Sequence, residues 1–97
     1  GLTTVNVTSN EAFTISAAIS GTGAPATLTV ESIKVKITAP NGSTAASSGK
    51  VTGSGSSAPE YVWNVNGADS GIYKVSVIAE LSDNKKYEMT FELELER

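Results

Sequence analysis

Trp63-Asn64-Val65-Asn66-Gly67-Ala68-Asp69-Ser70-Gly71-Ile72-Tyr73-Lys74-Val75-Ser76-Val77 is the stretch on which the fold turns. It reads as a strand, a tight corner of Asn, Gly, Asp and Ser, and a second strand that opens on a tyrosine. Trp63 and Val65 share one phase before the corner, and Tyr73, Val75 and Val77 share one after it. Period-two spacing of this kind buries one face of a strand and leaves the other in water. The corner residues are those that accept positive φ or bond their own backbone.

The same period runs outward in both directions, and no segment of ten or more residues has helical spacing. Upstream, Leu2 to Thr8 alternates weakly through Val5 and Val7, and Ser9-Asn10-Glu11 supplies a turn. Ala12 to Ser20 alternates cleanly, with Phe13, Ile15, Ala17 and Ile19 on one face, until Gly21 to Pro25 breaks it. Thr27 to Thr38 changes phase: Leu28 and Val30 are even, Ile33, Val35 and Ile37 odd. One extra residue around Glu31-Ser32, a β-bulge or strand break, reconciles the two halves. Ala39-Pro40-Asn41-Gly42 then reads as a β-turn, with Pro setting φ and Gly free to take positive φ.

Residues 43–59 are Ser, Gly, Ala and Thr around Lys50-Val51. Such a segment buries little. It reads as a mobile crossover between two sheets with a short edge strand at Gly49 to Gly53, the other reading being a ligand loop on a rigid scaffold. Glu60 to Val65 resumes the alternation through Tyr61, Trp63 and Val65. Ile72 to Leu81 follows, and Tyr87 to Leu95 has Tyr87, Met89, Phe91, Leu93 and Leu95 facing in with Glu88, Thr90, Glu92, Glu94 and Glu96 facing out.

Phase also predicts the last hairpin. A two-residue turn at Asp83-Asn84 puts the apolar faces of its two strands on opposite sides. An odd loop, most simply Asp83-Asn84-Lys85, pairs Leu81 with Tyr87, Ala79 with Met89 and Val77 with Phe91. Burial on one face, at roughly 25 cal/mol per Å², outweighs turn preference. That register sets Lys74 opposite Glu94 and Glu80 opposite Glu88 on a charged outer face that reads as patterned against stickiness.

Composition narrows function further. The 97 residues suit one domain over 1–97. Cys and His are both absent, which removes thiol nucleophiles, disulfides, the usual zinc sites and histidine acid–base chemistry. Ser–Lys nucleophiles and paired carboxylates are the catalytic chemistries left open, and the expectation is a non-enzyme. A net charge of −3 lacks the basic footprint that phosphate neutralisation requires, so nucleic acid is not an expected partner. There is no apolar run near 18 residues, so no membrane insertion is expected of this segment.

About seven short strands with a crossover predict an all-β, antiparallel sandwich with Greek-key connections. All six aromatics (Phe13, Tyr61, Trp63, Tyr73, Tyr87, Phe91) fall on the apolar phase of their strands, as a single inter-sheet core requires. Asp69-Ser70-Gly71-Ile72-Tyr73-Lys74-Val75 resembles the Asp-x-Gly-x-Tyr-x-Cys signature of immunoglobulin-like domains, with Val75 where antibody-type domains carry a disulfide cysteine. Trp63, ten residues before the tyrosine, is not that family's core tryptophan.

The chain is more similar to the cysteine-free immunoglobulin-like modules of prokaryotic secreted and cell-surface proteins. It shares with them the Pro40-Asn41-Gly42 turn, the Gly71 to Val77 strand and an acidic-Asn turn at Asp83-Asn84. The likeness spans roughly residues 11–95. It implies an extracellular or cell-surface setting and a spacer or presentation role beside neighbouring domains of a larger protein. The alternative is an adhesion module that binds a glycan or protein through the 43–59 and 21–26 loops.

The candidate site residues are accordingly structural: Asp69, Gly71 and Tyr73. Tyr73 is expected to fill the core with its ring and to return its hydroxyl to a backbone group near the corner. Asp69 is expected to cap backbone N–H groups there. Trp63 and Tyr61 offer a sugar-stacking platform, though their phase with Val65 favours core packing. Asp69 and Asp83-Asn84 lie at opposite ends of one strand and cannot share a calcium ion, so no cofactor or metal is expected. Glu92, Glu94 and Glu96 read as one solvated face. Asn6-Val7-Thr8 and Asn41-Gly42-Ser43 match the N-glycosylation tripeptide, which arises often by chance.

Overall fold

The computed structural model describes residues 2–6, 12–17, 28–53, 58–65 and 68–96. Among them the chain is all-β, with eight strands: β1 (Leu2–Asn6), β2 (Ala12–Ser16), β3 (Val30–Thr38), β4 (Thr44–Ser47), β5 (Val51–Thr52), β6 (Glu60–Asn64), β7 (Gly71–Leu81) and β8 (Lys86–Glu96). One six-stranded sheet has the order β1-β8-β7-β3-β4, with β5 also on β3; the other pairs β2 with β6. All pairings are antiparallel except that of β1 with β8.

The period-two pattern explains the layering. Ile33, Val35, Ile37, Tyr73, Val75, Val77, Ala79, Leu93 and Leu95 of the large sheet join Ile15, Ala17, Trp63 and Val65 in one buried cluster. Two sheets thus face one another across one core, an arrangement compatible with a sandwich. The phase change in β3 has the expected origin. Val30 pairs with Leu81 and Ser32 with Glu80, so Glu31 is the extra residue. The bulge sets Ser32 and Ile33, both buried, side by side in sequence.

Residues 43–59 link the large sheet to β6 of the small one, as expected of a crossover, and β5 falls within the expected Gly49 to Gly53 edge strand. The departure is a second strand, β4; β4 and β5 both run along β3. The break between them is bridged at Ser48, whose N–H donates to Val35 O (2.8 Å) and whose Oγ accepts from Val35 N (2.9 Å). Small residues of low hydrophobicity can serve as edge strands because backbone bonds to a buried neighbour hold them. The segment supplies two short edge strands instead of one, which is why the described residues hold eight strands.

The last hairpin has the predicted parity but not the predicted position. Leu81 N donates to Lys85 O and Asn84 N donates to Leu81 O, each at 2.9 Å. The loop is therefore Ser82-Asp83-Asn84, and Ala79 pairs with Tyr87, Val77 with Met89 and Val75 with Phe91. The cause is backbone chemistry. A three-residue hairpin loop needs its third residue at positive φ, and Asn84 (φ 68°) takes that conformation more readily than Lys85 would. Asp83 Oδ1 also accepts from Lys85 N at 3.0 Å. The shift sets Lys74 opposite Glu92 rather than Glu94, and replaces the expected Glu80–Glu88 clash with Glu80 opposite Lys86.

One consequence reaches the aromatics. Trp63 and Tyr73 are buried and Phe13, Tyr61 and Phe91 partly so, but Tyr87 and Met89 are exposed, at 51% and 43%. Both precede Glu92, where the pairing with β1 begins at Leu2. They also lie on an eleven-residue strand, whereas the facing β2–β6 ladder spans five pairs among the described residues.

Candidate functional site

Gly71, at the head of β7, has φ +146°, and a Cβ built there would come within 2.5 Å of Pro40 Cγ. The corner and the Pro40 turn therefore touch, and only the absence of a side chain lets them. Two residues on, Tyr73 is 3% exposed, and its hydroxyl donates to Asp69 O at 2.7 Å. A buried phenol needs such a partner. Asp69 itself is exposed and takes part through its main-chain carbonyl, not through the expected carboxylate cap. Asn66 and Gly67 lie outside the described residues.

Trp63 packs against Tyr73 with ring centroids 5.2 Å apart, tilted by 55°. At 6% exposure it is part of the core and not the base of an open sugar platform. Asp69 and Asp83 stand beyond opposite ends of β7. Among the described residues no group of three or more acidic side chains is arranged to hold a metal ion. The 21–26 loop lies outside the described residues.

A cluster of polar chemistry on the large sheet was not legible in the sequence. Lys50, between β4 and β5, reaches Glu80 of β7 (Nζ–Oε1 2.7 Å), and buried Ser32 donates to the same carboxylate at a long 3.5 Å. Lys86, opposite Glu80, completes a shallow groove with Lys34 and Ile78. Lys50 and Glu80, 30 positions apart, and Ser32 and Glu80, 48 apart, meet here because the bulge and the edge ribbon set their rows.

Electrostatics shows what the cluster can do. The hydrogen bond to Glu80, and then its charge, raises the Lys50 ammonium above its ordinary value of 10.5. The bond from Lys50, and then its charge, lowers Glu80 below 4.5. Each group is thereby held charged. A Ser–Lys nucleophile needs the reverse, a lysine pushed down until it can accept a proton. The trio acts as a tie between the edge ribbon and the sheet.

Comparison with protein-family models, with curated proteins and with solved structures finds no match to this chain.

Proposed function

We propose that this chain is a non-catalytic immunoglobulin-like module, a spacer or presentation domain of a secreted or surface protein. The observation that carries the reading is the strand order. β3, β7 and β8 are consecutive in one sheet, β2 and β6 make the facing pair, and the first strand joins the last. That order fits a Greek-key sandwich of the immunoglobulin kind, in which hairpin neighbours and crossovers alternate between the layers. The bond from Tyr73 to Asp69 O supports it, being the corner such sandwiches use where the chain crosses between sheets. Lys50 and Glu80, each held charged, favour architecture over proton transfer.

The test is a screen of the immobilised domain against glycan arrays and surface-protein extracts, with the parent protein assayed after its domain is exchanged for an unrelated module of similar length. A spacer returns no specific ligand and survives the exchange. A specific hit lost on trimming residues 45–57 makes the domain an adhesion module instead.

A further inference from the structure

The outer face of the large sheet sorts its charges by strand. β3 presents Lys34 and Lys36, whereas β8, past Lys86 at its start, presents Glu88, Glu92, Glu94 and Glu96, with Glu88 accepting from Ser76 Oγ at 3.0 Å. Between these columns β7 shows Ile72 and Ile78, 46% and 36% exposed, together with Lys74, Ser76 and Glu80. The register aligns them in rows: Lys34–Ile78–Glu88, Lys36–Ser76–Thr90 and Thr38–Lys74–Glu92. Among the described residues Lys34 and Lys36 form no ion pair, the Lys50–Glu80 bridge lying one row away.

We propose that this face is a self-complementary docking surface for a second copy of the chain. A face-to-face pair related by a two-fold axis along β7 lays each β3 over the partner's β8. An interface of this kind uses one patch twice, so every attraction occurs in duplicate. Row by row, Lys34 meets Glu88 of the partner subunit and Ile78 meets Ile78 of the partner subunit. Lys36 falls between the partner's Glu88 and the partner's Glu92. A two-fold axis across the strands sets β3 on β3 and β8 on β8, like charge on like along both columns, whereas the axis along β7 sets only Lys74 and the Lys50-bridged Glu80 on their own copies, so the charges favour the axis along β7. Three strands about 4.8 Å apart, with five side-chain rows about 7 Å apart, span roughly 500 Å² per copy. A total near 1,000 Å² is at the low end for specific contacts, so the pair is weak and salt-sensitive.

Sedimentation equilibrium of the whole 97-residue chain decides the matter, with thermal melts confirming that each variant folds. The expected result is a monomer–dimer equilibrium at about 20 mM salt that dissociates at about 0.5 M, where the screening length shrinks to a few Å. K34E/K36E and E88K/E92K should each weaken self-association by about tenfold or more. Mixed together, the two variants should associate again, since every reversed column then meets its opposite. A chain that stays monomeric at millimolar concentration overturns the proposal, as a solvated face or one reserved for a different protein would behave. So does self-association indifferent to both reversals, or a mixture that fails to recover.

Discussion

Gly71 is constrained twice, by a φ of +146° and by Pro40 Cγ at 2.5 Å from where a Cβ would stand. The two constraints separate by mutation. Gly71→Ala should cost about 2–4 kcal/mol, combining a backbone conformation nearly reserved to glycine with a contact no side chain fits. Pro40→Ala in the same chain removes the struck atom, so the double variant should recover about 1 kcal/mol of the summed loss in urea unfolding. Full additivity would show that the contact is harmless. Tyr73 raises a separate question at the same corner. Tyr73→Phe keeps the ring against Trp63 but strands the Asp69 carbonyl, and should cost about 1–2 kcal/mol. An unchanged urea midpoint would leave the bond without energetic weight. That Tyr73 is buried could be read from its phase; that Pro40 lies against Gly71 could not, since nothing local joins residues 31 positions apart.

At the scale of elements, the chain uses one hairpin device twice. Ala39-Pro40-Asn41-Gly42-Ser43 and Leu81-Ser82-Asp83-Asn84-Lys85 close with equivalent bonds: first N–H to fifth carbonyl, fourth N–H to first carbonyl. In both, the third side chain accepts from the fifth N–H, and the fourth residue has positive φ. Asn84→Gly should therefore leave stability within a few tenths of a kcal/mol, whereas Asn84→Val should cost about 1–2 kcal/mol. Equal melting temperatures for the two variants would contradict this account of the loop. The comparison also explains what the sequence revealed. Apolar phase specified an odd loop, because an even one turns a face into water. It could not distinguish Ser82–Asn84 from Asp83–Lys85, which preserve the same faces two residues apart. Turn chemistry makes that choice, and the better-signalled Pro40 turn already contained the rule. The edge strand at 44–47 was hidden for another reason, since its order comes from backbone bonds to β3 and hardly from its own side chains, whereas β5 was signalled by Val51.

For the whole molecule, the Lys50–Glu80 bridge ties the edge ribbon to the sheet, and its pH dependence follows from the two shifts. Glu80 is lowered, so its contribution is complete above about 4.5 and is lost as pH falls through its folded value. Lys50 is raised, so its contribution is complete below about 10.5 and is lost as pH rises through its folded value. Thermal midpoints of Glu80→Gln should consequently fall less steeply on the acid side than those of the parent chain, with little difference near neutrality, where an exposed pair is screened. Identical acid limbs would remove the bridge from the account. The parallel pairing of β1 with β8 has a mechanical consequence. Both strands run in the same direction, so tension applied at the start of one and the end of the other slides them past each other. Five residue pairs, from Leu2–Glu92 to Asn6–Glu96, then carry the load together, where an antiparallel pair would open one rung at a time. In single-molecule pulling, the double variant Thr4→Pro/Val5→Pro, which removes whichever of two consecutive N–H groups faces β8, should lower the rupture force more than Val62→Pro lowers it on β6. The strand that looked weakest by sequence is then the one that sets how hard the molecule can be pulled.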